Sequence, residues 1–81
     1  MFKAKIKIIL KKGILDPQGK SVEGALHALK YTSASNVRVG KYIELKIREK
    51  EEKNAKQKVE EMCKKLLANP VIEDFEFELE K

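Results

Sequence analysis

The chain contains one cysteine, Cys63, and one histidine, His27, which are its candidates for a nucleophile and a general base. Cys63 lies between Met62 and Leu66 on an apolar helical stripe, where a cysteine ordinarily serves as a small buried hydrophobe. A reactive thiol needs an accessible and electropositive setting, which this stripe does not predict. His27 lies off the apolar stripe of its own helix and is expected at the surface. The sequence therefore predicts no catalytic residue.

The same residue counts argue against a metal or cofactor site in this chain. A single cysteine cannot form an intrachain disulfide, and one cysteine with one histidine cannot build a structural zinc site of the Cys/His type. Most of the 13 Asp and Glu side chains fall on predicted solvent-facing surfaces, and no paired-carboxylate or Ser-His-Asp arrangement stands out. A Walker-type phosphate loop is also missing. We therefore expect no metal and no cofactor here.

The chain is basic, with 18 Lys and Arg against 13 Asp and Glu and a pI near 9.4. Such a balance invites a nucleic-acid or phosphate interpretation. RNA-binding sheets stack bases on aromatic side chains, whereas the exposed sheet face predicted here alternates Lys and Glu. We expect no nucleic-acid partner. A basic nucleic-acid-binding domain and a small-molecule-binding regulatory module stay as alternatives, because a fold alone does not establish function.

Alternation of apolar and charged residues predicts a strand over residues 2–11 and another around residues 74–80. Two shorter stretches, 36–39 and 43–47, are predicted to form a hairpin through the break at Gly40. The first strand carries Lys and the last carries Glu on the side opposite the apolar face. We predict that these two strands are antiparallel neighbours, where each opposite-charge pair adds roughly 0.2–1 kcal/mol.

Two helices are predicted between these strands. Asp16 before Pro17 indicates an N-cap and a first helical turn, and the apolar stripe fades near Lys30. Asn54 is predicted to cap the second helix, which ends at Asn69–Pro70. The element order is that of the ferredoxin-like split βαβ arrangement. We therefore predict an α+β fold in one domain over residues 1–81: a βαββαβ two-layer sandwich, with a four-stranded antiparallel sheet and two helices on one face.

A chain of 81 residues builds only a thin core, so we expect it to associate with itself. The longest apolar runs are far too short to span a bilayer, and no secretory leader precedes the first strand. We therefore expect a cytoplasmic protein with no membrane partner.

Three tracts contain residues that packing and capping do not fully explain. They are Leu15–Gly19 (Leu-Asp-Pro-Gln-Gly), Val37–Lys41 (Val-Arg-Val-Gly-Lys), and a late tract that contains Met62–Cys63 and Leu66–Glu73. In order and spacing they resemble the PurS family, the small subunit of phosphoribosylformylglycinamidine synthase, over nearly the whole chain. One departure is Lys30, where the family often has a glycine at the end of the first helix.

The resemblance implies a role in the fourth step of purine biosynthesis. There, formylglycinamide ribonucleotide, glutamine and ATP become formylglycinamidine ribonucleotide. A glutaminase subunit releases ammonia, and a large synthetase subunit holding ATP and magnesium uses it to form a C–N bond. The implied role of this chain is non-catalytic: as a homodimer or a dimer of dimers, it joins those two subunits and supports ammonia transfer.

Partner binding is expected from exposed residues of the three tracts, because burial and capping do not account for all of them. The predicted partner-binding residues are Asp16, Pro17, Gln18, Gly19, Arg38, Gly40, Lys41 and Asn69.

Overall fold

The computed structural model describes residues 1–81 and contains three strands and two α-helices. The elements are β1 (Phe2–Leu10), α1 (Pro17–Ala28), β2 (Lys41–Ile47), α2 (Glu52–Met62) and β3 (Glu73–Glu80), and a π-helical turn, Cys63–Leu67, continues α2. The sheet order is β2-β1-β3, and both pairs are antiparallel. The predicted α+β class fits this architecture.

The core lies between the sheet and α2. Because side chains alternate across a strand, the even-numbered residues of β1 all face α2, and Ala4 and Ile6 are completely buried. Ala55, Val59 and Cys63 cover them from the helix side. The apolar residues of β3 are partly buried against this core, as its alternation predicts.

The predicted pairing of the first and last strands is confirmed. Lys5 lies opposite Glu78 and Lys3 lies opposite Glu80 in the β1–β3 register. The ammonium group of Lys5 contacts the Glu80 carboxylate at 2.8 Å. The charged face of the sheet is thus a surface of Lys–Glu pairs, while the opposite face supplies the core.

The predicted four-stranded sheet is wrong, because the segment 36–39 is not a strand. Its amide groups are taken by side chains instead of a neighbouring strand. The Val37 N–H donates to Glu23 Oε1 (3.1 Å), and the Val39 N–H donates to Asp16 Oδ2 (2.8 Å). These alternate amides are the groups a hairpin would use, so the predicted hairpin with β2 does not form and the sheet has three strands.

The predicted two-layer sandwich with both helices on one face is also wrong, because only α2 covers the sheet. In α1 the one buried residue is Gly19, whereas Val22 is 43% exposed and Leu29, directly after the helix, is 66% exposed. The hydrogen bonds of Asp16 and Glu23 hold α1 to the segment 37–39, away from the sheet. The chain is consequently elongated: its radius of gyration is 16.1 Å, against about 12 Å for a compact domain of this length.

The ends of α1 follow two capping rules. Asp16 is the N-cap, and its Oδ1 accepts from the Gly19 N–H at 2.9 Å, as predicted. After the helix, Lys30 has a left-handed backbone with φ of 79°. The Tyr31 N–H then donates to the Leu26 carbonyl at 2.9 Å, which is a bond typical of such helix ends. Lysine therefore adopts the conformation that glycine would favour here.

The second helix differs from its prediction at both ends. It begins at Glu52 with Glu51 as its N-cap, three residues before the predicted Asn54 cap. At its end the Ala68 N–H donates to the Cys63 carbonyl, five residues back. This wider turn changes which side chains face the core, so Leu66 is 81% exposed although its spacing predicts burial.

Neither α-helix has the length and apolar composition needed to cross a membrane. The cytoplasmic location stays a prediction.

Candidate partner-binding site

Asp16 fixes the start of α1 and also binds the second tract. One carboxylate oxygen accepts from Gly19 and the other from Val39. The pKa of Asp16 is lowered, first because the Val39 N–H bonds the charged form and then because the Gly19 N–H does. Asp16 and Glu23, with the amides they bind at Val37 and Val39, are called the carboxylate anchor below. The anchor brings the first and second tracts together.

Two of the predicted site residues are glycines, and each lies where two backbone segments come close together. A Cβ at Gly19 would overlap the carbonyl oxygen of Val37, and a Cβ at Gly40 would overlap the carbonyl oxygen of Ile8. Only glycine lets α1 lie this close to the segment 37–39, and only glycine lets the chain enter β2 this close to β1. Both residues therefore shape the site and do not present side chains to a partner.

Arg38 and Lys41 connect the second tract to the ends of the strands. The Arg38 guanidinium donates to the carbonyl of Leu10, the last residue of β1, and its side chain is otherwise exposed. The Lys41 ammonium lies 3.9 Å from the Glu73 carboxylate at the start of β3. Both cations thus lie at the same end of the sheet.

The third tract reaches this end through Asn69. Its side-chain oxygen accepts from the Val71 N–H at 3.1 Å, and its own N–H donates to Glu73 Oε1 at 2.7 Å. The Lys11 N–H donates to the Ile72 carbonyl at 2.8 Å, which joins the tract to the end of β1. The carboxylate of Glu73 therefore lies between Asn69 and Lys41 and links the third tract to the second.

All three tracts meet where β1 ends and where β2 and β3 begin. Gly19 is buried and Asp16 is half-buried. The other predicted site residues are exposed: Pro17, Gln18, Arg38, Gly40, Lys41 and Asn69. The structure thus assembles the predicted residues on one surface. Their role in partner binding stays a prediction.

Sequence reasoning missed Glu23, which holds the amide of Val37. A signal was present, because Glu23 follows Asp16 by seven residues, about two helical turns, and so lies on the same side of α1. Two carboxylates can accept backbone N–H groups, and Gly19 leaves room for a close approach. Together on one side, they indicate a helix face that packs against the backbone of another segment.

Cys63 and His27, the candidate nucleophile and base, have structural roles. Cys63 is buried, as predicted, and burial raises the pKa of its thiol, which disfavours the reactive thiolate. His27 is exposed, as predicted, and its Nε2 lies 2.7 Å from the Ala34 carbonyl oxygen. No group of three or more His, Cys, Asp or Glu side chains is arranged to hold a metal ion.

Residues 3–81 match the family model described as PurS, phosphoribosylformylglycinamidine (FGAM) synthase. The chain belongs to the PurS family. It is 49% identical to the PurS subunit of Bacillus subtilis, over all of this chain and 95% of that protein. It is 46% identical to the PurS subunit of Methanocaldococcus jannaschii, over all of this chain and 98% of that protein. The resemblance inferred from the three tracts is confirmed.

Solved PurS structures agree with the fold. The Bacillus subtilis PurS crystal structure, at 49% identity, superposes with a TM-score of 0.89 and covers 100% of both chains. A chain in the structure of PurLQS from Thermotoga maritima, at 30% identity, has a TM-score of 0.89 and covers 98% of this chain and 96% of that chain. PurS is a subunit of phosphoribosylformylglycinamidine synthase, a glutamine-dependent, ATP-using ligase of purine biosynthesis.

Proposed function

We propose that this chain, as one PurS-like domain, is a non-catalytic assembly subunit that joins the glutaminase and the large ATP-dependent synthetase subunit. The observation that supports this most directly is the convergence of three tracts at one end of the sheet, where Pro17, Gln18, Arg38 and Lys41 are exposed. This end of the molecule therefore offers an exposed surface for contact with other subunits.

The physical benefit is proximity. Ammonia released into water becomes protonated and diffuses away, whereas a scaffold that aligns two active sites raises its effective concentration at the second one. In this proposal ATP and magnesium are held by the large subunit, and this chain contributes alignment.

The chain is also proposed to act as a homodimer or a dimer of dimers. Its accessible surface is 6324 Å², whereas a compact monomer of 9.3 kDa exposes about 5,000 Å². The excess, about 1,300 Å², exceeds the roughly 800 Å² that each partner buries in a standard interface. Part of the exposed apolar surface lies at Val22 in α1 and at Leu29 directly after it, and no element of the chain covers these side chains. A second copy would cover it.

Reconstitution with the glutaminase and synthetase subunits tests the assembly role. The double variant Arg38→Ala/Lys41→Ala is expected to lose complex formation and glutamine-dependent turnover, while turnover with added ammonia is retained. A control, Lys53→Ala/Lys56→Ala, removes the same charge from the exposed side of α2. Unchanged assembly and turnover in the first variant would contradict the assignment of Arg38 and Lys41.

Light scattering across a dilution series tests self-association. The wild-type chain is expected to form dimers or tetramers, and Val22→Glu/Leu29→Glu is expected to shift it to monomers with circular dichroism unchanged. A wild-type monomer at every concentration would contradict the oligomer proposal without affecting the assembly assay.

A further inference from the structure

The positive charge of the chain is concentrated in one segment, residues 11–41. Six Lys and Arg side chains and two acidic side chains lie there, a net charge of +4 out of +5 for the whole chain. The two acidic residues are Asp16 and Glu23, and both carboxylates accept backbone N–H groups in the carboxylate anchor. Both hold the backbone in place and keep their charge, but neither forms an ion pair with a Lys or Arg side chain.

A groove of about 690 Å³ runs along this segment beside the loop that follows β1. Four cations line it: Lys11, Lys12, Lys20 and Arg38. Lys11 forms an ion pair with Asp74 at 3.6 Å, whereas Lys12 and Lys20 form no ion pair within the chain. The groove therefore has a net positive charge, because these four cations exceed the two carboxylates, Asp16 and Glu23, that also line it.

Apolar side chains lie among these cations. Ile14 and Leu15 line the same groove and are 36% and 67% exposed. An exposed apolar centre with a charged rim is the usual composition of a protein–protein contact. The groove contains no aromatic side chain on which a nucleic-acid base could stack. The adjoining start of α1 is capped by the Asp16 carboxylate, which repels a phosphate group.

We infer that Ile14 and Leu15, with Lys12 and Lys20 on the rim, bind a projecting apolar segment of a partner protein that is flanked by carboxylates. This surface adjoins the tract residues and extends the proposed assembly role, on which the inference rests, by naming the chemistry of the partner. The apolar pair supplies most of the affinity, and the cations set the salt dependence and the rate of association.

Calorimetric titration of the glutaminase–synthetase mixture with this chain, at low and at high NaCl, tests the inference. Lys12→Glu/Lys20→Glu is expected to weaken binding at low salt by about 10- to 100-fold and to flatten its salt dependence. Leu15→Ser is expected to weaken binding by about tenfold while the salt dependence stays as in wild type.

The control Lys53→Glu/Lys56→Glu makes the same change in net charge on α2 and is expected to bind within about twofold of wild type at matched salt. If wild type binds and the groove variants bind equally well, the inference is overturned while the assembly role stands. Failure of wild type to bind contradicts the assembly role and the inference together. Loss of single-stranded DNA binding in Lys12→Glu/Lys20→Glu, with complex formation unchanged, would also overturn the inference in favour of a nucleic-acid surface.

Discussion

The chain consists of two regions that are held together by different forces. The sheet and α2 are joined by apolar burial around Ile6 and Val59, both completely buried. The segment 11–40, which contains α1, is positioned by two carboxylates and by a backbone approach that only Gly19 permits. Its apolar side chains stay largely exposed.

The difference shows how a small protein can fix a helix and still keep its apolar face available. Burial against the chain's own sheet would stabilise α1 but would also use that face. Hydrogen bonds from the Val37 and Val39 N–H groups to the carboxylates of Glu23 and Asp16 fix the helix through a different face. The polar contacts thus set geometry, and the apolar stripe is left for association.

Removing a core side chain should have the largest effect. Ile6→Ala is expected to lower the free energy of unfolding by about 2–5 kcal/mol, because Ile6 is fully buried and leaves a cavity in the middle of β1. Ile9→Ala, on the opposite face of the same strand at 36% exposure, is the matched control and should cost far less. Urea denaturation measures both, and equal losses would contradict a core confined to one face.

A smaller effect, confined to the anchored region, is expected from Gly19→Ala. The added Cβ would overlap the Val37 carbonyl oxygen and lie 2.9 Å from Asp16 Oδ2, at a cost of about 1–3 kcal/mol. Gly24→Ala, whose Cβ meets nothing within 4 Å, should instead gain about 0.5–1 kcal/mol. Hydrogen exchange should show lost protection in α1, Val37 and Val39 for Gly19→Ala only. Faster exchange in β1 as well would mean that the regions are not independent.

Acid should release the carboxylate anchor before it affects the core. The folded pKa of Asp16 is below its unfolded value of about 4. Its stabilisation is therefore complete above that value and is lost as the pH falls through the folded pKa. An NMR titration of the Val39 amide should report this loss. Asp16→Asn, with one oxygen in place of two, should lose the Gly19 or the Val39 bond at neutral pH. A Val39 amide that is insensitive both to acid and to this substitution would contradict the anchor.

The smallest effect is expected at the end of α1. Lys30→Gly should raise the free energy of unfolding by about 1 kcal/mol, because Lys30 holds a left-handed backbone that disfavours a Cβ. Ser33→Gly, at a loop position without positive φ, should be neutral or slightly destabilising, since it only adds freedom to the unfolded chain. Thermal unfolding distinguishes them, and equal shifts would show that backbone strain at Lys30 is negligible.

Periodicity predicted the elements that face a core. The alternation in β1 and β3 and the Asp16–Pro17 helix start are confirmed because each depends on neighbours within a few residues. Val37 and Val39 also have strong strand propensity, but the carboxylates of Asp16 and Glu23 bind their amides, and propensity contains no information about such distant partners.

The placement of α1 was beyond sequence reasoning for a different reason. An apolar stripe shows that a helix face is buried by something, but it does not show whether the cover comes from the same chain. Leu66 was misplaced because a π-helical turn shifts the register at one point, and the spacing alone fits an uninterrupted helix.

The outer edge of β3 limits how copies of this sheet can meet. Glu76, Glu78 and Glu80 recur along that edge strand. Two such edges brought side by side would set glutamates against glutamates, which is the repulsion by which natural sheets avoid open-ended stacking. Lys3, Lys5 and Lys7 compensate these acids from β1, one strand away from the edge. Growth of the sheet through β3 into a fibril is therefore opposed by the sequence itself.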